Sequence, residues 1–249
     1  MSIKNTNLLE LTSFLAQTLT QKPVDLTGID FSLKAGEVGV LLNRKKSNQL
    51  FAVLSGTGKI LAGEMRLFKE YFDNNSELDP NMEIFREIGF GFKDKGLFSN
   101  KSLLLNVDLP ARYHGEYAKG LAEGELAKRA LTEIHVEESL WEKRPDFVSW
   151  YVKKRVLLAR SVVMRPKILL LDSPTVTIPW KFYNKIIQWI HKQREKGCGI
   201  LIRSENLPFA YCVADWVMDE QNQLIHKGDF SHIDRRILES ANILKERVL

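Results

Sequence analysis

Four consecutive apolar residues, Ile168-Leu-Leu-Leu171, stand between Lys167 and Asp172. An unbroken apolar run, as opposed to an alternating one, marks a strand covered on both faces, as in a parallel sheet with helices on each side. Asp172 then sets a carboxylate at the carboxyl end of that strand, the edge where open α/β sheets keep their ligand sites. Just upstream, Arg165-Pro166 ends a helical stretch, because proline cannot continue the hydrogen-bond ladder. This segment commits the chain to an α/β fold with a mostly parallel core sheet.

The flanking segments agree. Residues 8–11 and 28–31 read as short strands with turn material between them. Residues 38–42 form an apolar run of buried-strand length. A polar turn, Asn43-Arg-Lys-Lys-Ser-Asn48, follows, and then Leu50, Phe51, Val53 and Leu54 recur at helical spacing. Further strands are expected at 64–68, 88–92, 199–202 and 216–218, with a closing hairpin strand at 224–226. Helices are expected across the charged stretch 106–138, over 153–164, over 207–214, and over 182–196, where Ile186, Ile187 and Ile190 share a face. Strands alternating with helices imply a sheet covered on both sides.

Composition closes off several classes. Two cysteines, Cys198 and Cys212, make neither a disulfide framework nor a zinc site. The five histidines show no metal-ligand spacing, so no metal is expected. No apolar run approaches the ~18 residues of a membrane span. The first seven residues lack the basic and apolar regions of a secretory signal, and a cytoplasmic location is expected. The net charge of +5 reads as a solvated basic surface, and no nucleic-acid partner is expected.

The order of the pieces resembles the nucleotide-binding domain of ABC transporters over residues 8–230. The strings that carry the resemblance are Asp30-Phe-Ser-Leu-Lys-Ala-Gly-Glu37, Leu54-Ser-Gly56, Leu97-Phe98 with Asn106-Val107, Arg155-Val-Leu-Leu-Ala-Arg160, Arg165-Pro-Lys167, Leu171-Asp-Ser-Pro-Thr175 and Ala214-Asp-Trp-Val217. The string Val107-Asp-Leu-Pro-Ala-Arg-Tyr-His114 is similar to importer-type or lipid-transport ATPases, including the Mce-associated group. The resemblance implies a P-loop-NTPase-like ABC ATPase fold. Its parts are a mostly parallel core sheet, an antiparallel N-terminal β-subdomain and a helical subdomain near residues 100–160. A helical tail is expected at 231–249.

Against that family the chemistry looks depleted. A P-loop needs glycines so that backbone N–H groups can wrap phosphates, a lysine on the β/γ oxygens, and a Ser/Thr on Mg²⁺. Here Asn43 to Gln49 holds seven residues and no glycine. Lys45 and Lys46 remain as candidate anion-attracting groups, with Ser47 and Asn48 near the metal-ligand position. The signature loop aligns with Val148-Ser-Trp-Tyr-Val152. Ser149 is kept, but Trp150 and Tyr151 replace glycines that would allow phosphate contact. Asp172 matches the Walker B aspartate, Ser173 stands where the catalytic glutamate would be, Lys93 replaces a metal-binding glutamine, and Glu205 stands where the family has its switch histidine. Phosphoryl transfer depends almost wholly on positioning and charge stabilisation, so no effective ATP hydrolysis is expected.

The expected function is therefore a catalytically degenerate ABC-type subunit that docks on an integral membrane transporter, pairs with itself or with an active homologue, and needs no cofactor. Candidate docking anchors are Phe98, Leu103, Leu104, Tyr113 and Trp141. The alternative is a weak or composite ATP-binding or ATP-hydrolysing subunit using ATP and Mg²⁺. A third reading is a soluble scaffold acting through its basic surface.

Overall fold

The computed structural model describes residues 6–18, 28–42, 44–93, 96–115, 120–176, 178–218 and 224–227. The tail expected at 231–249 lies outside them. In chain order the elements are β1 (Asn7–Thr18), β2 (Ile29–Lys34), β3 (Val38–Leu41), α1 (Arg44–Leu54), β4 (Gly58–Leu67), β5 (Glu70–Phe72), β6 (Ile88–Gly91), α2 (Leu103–Tyr113), α3 (Glu125–Glu133), α4 (Trp150–Val162), β7 (Ile168–Asp172), α5 (Tyr183–Glu195), β8 (Gly199–Arg203), α6 (Leu207–Val213), β9 (Trp216–Met218) and β10 (Leu224–Lys227).

These strands make two sheets. The first is antiparallel, in the order β2-β1-β4-β5. The second runs β10-β9-β3-β8-β7-β6 and is parallel except for the β9–β10 pair. The apolar run in β7 explains why both sheet faces are dry. Leu169 and Leu171 join a core with the helices, while Ile168 and Leu170 join a second core with α1 and the antiparallel sheet. Val40 and Leu41 in β3, and Ile200 and Leu201 in β8, divide the same way. Side chains alternate across a strand, so two cores require apolar residues at every position.

One glycine sets the join between the sheets, and a second sets a bend within the antiparallel one. Gly39 on β3 pairs with Trp216 on β9, and a Cβ at Gly39 would sit 2.1 Å from the indole ring. Trp216 in turn lies 5.1 Å from the Phe31 ring of the antiparallel sheet. Gly63, with φ of +76°, faces a bulge at Ser13, whose own φ is +46°; a Cβ on Gly63 would meet the Ser13 carbonyl oxygen at 2.2 Å. The bulge lets β1 bend and continue to Thr18. The strand expected at 8–11 is thus three times longer than a short alternating run suggests.

The other differences lie at helix starts. Residues 44–48, expected within a polar turn, belong to the start of α1. Arginine, lysine and glutamine are good helix formers, and Lys46, Ser47 and Gln49 are buried. The helix expected from 153 starts at Trp150, where the Ser149 hydroxyl accepts from the Val152 amide at 3.4 Å as an N-cap. β5 was not anticipated.

Candidate functional site

The carboxyl edge of the parallel sheet gathers the chain's least conventional polar groups. β3 ends at Leu41 and α1 begins at Arg44, so the strand–helix connection is two residues long. Asn43 lies outside the described residues, and so does the Lys45 side chain, although its backbone belongs to α1. Lys46 and Ser47 do not face an open anion site. Ser47 is wholly buried, and Lys46 lines a small gap with Phe14, Ala16 and Ile29 of the antiparallel sheet.

Asp172 and Arg203 are register partners at the ends of β7 and β8. The Arg203 guanidinium donates through Nη2 to Asp172 Oδ1 and through Nη1 to Asn48 Oδ1 on α1. Arg203 is buried, Asp172 half-buried and Asn48 exposed, and together they form a polar bridge across β7, β8 and α1. Ser173, with φ of +46°, is pinned beside it by its amide, which donates to the Arg203 carbonyl at 2.9 Å.

A second cation completes the edge. Lys154 on α4 is fully buried. Its ammonium donates to the carbonyl oxygens of Lys93 at 2.7 Å, Phe92 at 3.1 Å and Asp172 at 3.5 Å. Lys93 therefore enters the arrangement through its backbone. Glu205 is exposed.

The signature-loop aromatics pack within their own chain. Tyr151 stacks on Phe182, with centroids 3.9 Å apart and planes 17° from parallel, and the Arg155 guanidinium lies 4.3 Å from the tyrosine ring centroid. Burial pushes the Tyr151 phenol up in pKa, against the pull of the Arg155 cation. Trp150 is half-buried and Ser149 exposed at the cap.

The five docking anchors divide. Phe98 is 57% exposed and Tyr113 80%, and Leu104 is half-buried. Leu103 and Trp141 are core residues, a correction to their expected surface role. Leu103 is wholly buried, and the Trp141 indole donates to the Val136 carbonyl at 3.0 Å. Phe98 is presented by a loop held from within: buried Asn106 accepts from the Phe98 amide at 2.7 Å and donates to the Ser102 carbonyl at 2.9 Å.

Arg203 and Lys154 were missed from the sequence. Each had one weak signal. Arg203 follows three apolar residues in a strand two-sidedly buried, and Lys154 lies one helical turn before buried Leu158. Cys198, also buried, has its thiol pushed up to about 12 by desolvation and carries no chemistry. No cluster of metal-ligating side chains occurs among the described residues.

A family model described as "ABC transporter" matches residues 26–176. The chain is 29% identical over 188 residues to the uncharacterized ABC transporter ATP-binding protein YbbA of Escherichia coli, covering 74% of this chain and 81% of that protein. It is 27% identical over 210 residues to the energy-coupling factor transporter ATP-binding protein EcfA2 of Leuconostoc mesenteroides, covering 83% and 72%. Among solved structures, cbiO1 of Clostridium perfringens, described as part of the ABC transporter complex cbiONQ, superposes with a TM-score of 0.75 at 24% identity over 98% of both chains. That last likeness is one of fold.

Proposed function

The chain belongs to the ABC transporter family, and from that premise we propose that it is a cassette-type subunit of a membrane transporter whose nucleotide pocket is closed by its own side chains. It docks on a membrane partner and supports transport structurally, without effective ATP hydrolysis of its own. One observation carries this reading: the Asp172 carboxylate is held by the buried Arg203 guanidinium, which also reaches Asn48 on α1. A carboxylate bound to a fixed guanidinium is already neutralised and is poorly placed to take up Mg²⁺, a hard cation that prefers oxygen ligands in strict octahedral array.

The other features point the same way. A two-residue β3–α1 connection has no room for a glycine nest, which leaves only the first-turn N–H groups of α1 to meet a phosphate. ATP·Mg²⁺ therefore does not fit the residues present. The partner surface centres on Phe98, in the loop before α2, and Tyr113, the last residue of α2, both exposed, and an integral membrane transporter subunit is the proposed occupant. The narrower likeness to the Mce-associated lipid-transport group rests on residues 107–114 alone.

A second reading stands beside it. The relatives are named ATP-binding proteins, and this likeness favours a weak or composite ATP-binding subunit over a silent one. Calorimetric titration of the purified protein with Mg²⁺-ATP separates the two. The closed-pocket reading expects no saturable heat at millimolar nucleotide. Saturable binding places the ATP-binding reading first.

A further inference from the structure

The nucleotide-site positions occupy the carboxyl edge of the parallel sheet. At the opposite edge, where β7 and β8 begin, lies a cavity of about 470 Å³. That volume is within the ~300–1,000 Å³ range of small-molecule sites. Strands of this length separate the two edges by roughly 15 Å, so the cavity is no extension of the site already described. Ligands of open α/β sheets ordinarily gather at the carboxyl edge, and the family reading assigns nothing here.

Its walls come from three places. Leu126 and Ala130 project from α3, Val162, Val163 and Pro166 from the end of α4 and the turn after it, and Cys198 from the start of β8. These side chains are buried and give the cavity an apolar floor. The charged groups sit at its margin. Glu133 on α3 accepts from Lys196 at 2.5 and 2.7 Å, and also from Gln193, which ties α3 to the end of α5. Arg129 is matched by Glu125 at 2.8 Å. Arg165 differs from both. Its backbone has a φ of +52°, its side chain is exposed, and no ion pair or side-chain hydrogen bond engages its guanidinium among the described residues.

Two of the three cations at the cavity are therefore balanced by carboxylates, and one is not. We propose that this cavity binds an amphipathic monoanion, a short hydrocarbon chain carrying one carboxylate-type head, with the chain on the apolar floor and the head on Arg165. A nucleoside triphosphate needs several cations and backbone donors around its phosphates, and a neutral apolar ligand would leave the Arg165 charge unused. A guanidinium also suits a planar, two-oxygen head. Because the walls belong to both α3 and the sheet, an occupant would brace the helical region against the core.

Octanoate, 1-octanol and acetate, each titrated by calorimetry into the full-length protein, test the assignment. Octanoate is expected to bind saturably with one site, octanol at least about tenfold more weakly, and acetate not at all, since the charged hydrogen bond accounts for about one decade. Arg165→Gln should weaken octanoate about tenfold and leave octanol unchanged. Ala130→Leu, which fills the floor, should abolish binding of both. Arg165 is exposed, so its variant decides the matter even where Ala130→Leu fails to fold. No saturable octanoate binding at millimolar concentration, equal affinity for octanoate and octanol, or wild-type affinity in Arg165→Gln overturns the proposal.

Discussion

Asp172 and Arg203 face each other in register on neighbouring parallel strands, and the arginine turns its guanidinium back onto the carboxylate. The contact is shielded, with 7% of the arginine side chain and 25% of the aspartate side chain exposed. Removing one partner of a shielded pair leaves the other charge uncompensated, which is costlier than losing an exposed pair. Arg203→Met is expected to lower stability by about 2–3 kcal/mol, read as a shifted urea midpoint. Asp172→Asn keeps an acceptor for the guanidinium but leaves the buried cation without a counter-charge, and should lose a comparable amount, about 2–3 kcal/mol. An unshifted midpoint in Arg203→Met would contradict the bridge.

How much of this was readable beforehand depends on the residue. The β7 run was legible because two cores demand apolar residues on both faces of one strand. The end of α4 was legible because Arg165-Pro166 is a chemical stop. Polar residues misled more often. Arg44 to Asn48 looked like part of a turn by polarity, yet arginine and lysine are good helix formers, and Lys46 and Ser47 go inside. Arg203 and Lys154 look like surface charges in a string of letters, since only the tertiary arrangement supplies their partners. Leu103 and Trp141 failed as anchors for the converse reason: an apolar residue near an expected groove is as readily core, and each is buried. The length of β1 was hidden because a bulge at Ser13 breaks the alternation that marks a strand.

Lys154 gives a second prediction. Its ammonium satisfies carbonyls just beyond β6 and at the end of β7. Lys154→Met keeps most of the volume and withdraws the donor, and is expected to lower stability by about 1–3 kcal/mol. Amide hydrogen exchange should rise at residues 92–93 before the rest of the sheet. Unchanged protection there would show that the carbonyls are satisfied another way.

The Tyr151–Phe182 stack fastens the start of α4 to the 3₁₀ turn before α5. A double-mutant cycle with Tyr151→Leu and Phe182→Leu should return a coupling of about 0.5–1.5 kcal/mol. Additive single effects would mean that the rings pack independently. The restoring variant Trp150→Gly with Tyr151→Gly is expected to lose stability and to gain no nucleotide binding, because the β3–α1 connection is unchanged.

Glu133 sets a pH dependence. Burial pushes its carboxyl up, but hydrogen bonds from Lys196 and Gln193 outweigh burial and hold it below the usual glutamate range. A depressed folded value means the unfolded chain binds the proton more readily. The contribution is thus full above the ordinary glutamate pKa and is lost as pH falls through the lower, folded one. Wild type and Glu133→Gln should differ in stability near neutral pH and converge in acid. A difference that stays constant through the acid limb would remove the Glu133–Lys196 pair as its source.

Docking on a membrane partner gives the last prediction, and burial makes it specific. Phe98 and Tyr113 are exposed, so alanine at both leaves the cores untouched and melting should change by less than about 0.5 kcal/mol. Leu103→Ala and Trp141→Ala open cavities in a core and should lose about 3–5 kcal/mol each. Recovery of the chain with the membrane fraction is expected to fall in the Phe98→Ala/Tyr113→Ala variant while its fold persists. Phe98 rests on a loop that Asn106 holds by hydrogen bonds to residues 98 and 102. Asn106→Ala should therefore weaken membrane association with both aromatics intact, because the loop loses its internal support. If the double variant stays on the membrane as wild type does, the docking surface lies elsewhere; if only Asn106→Ala is released, the loop backbone, and not the aromatic pair, makes the contact.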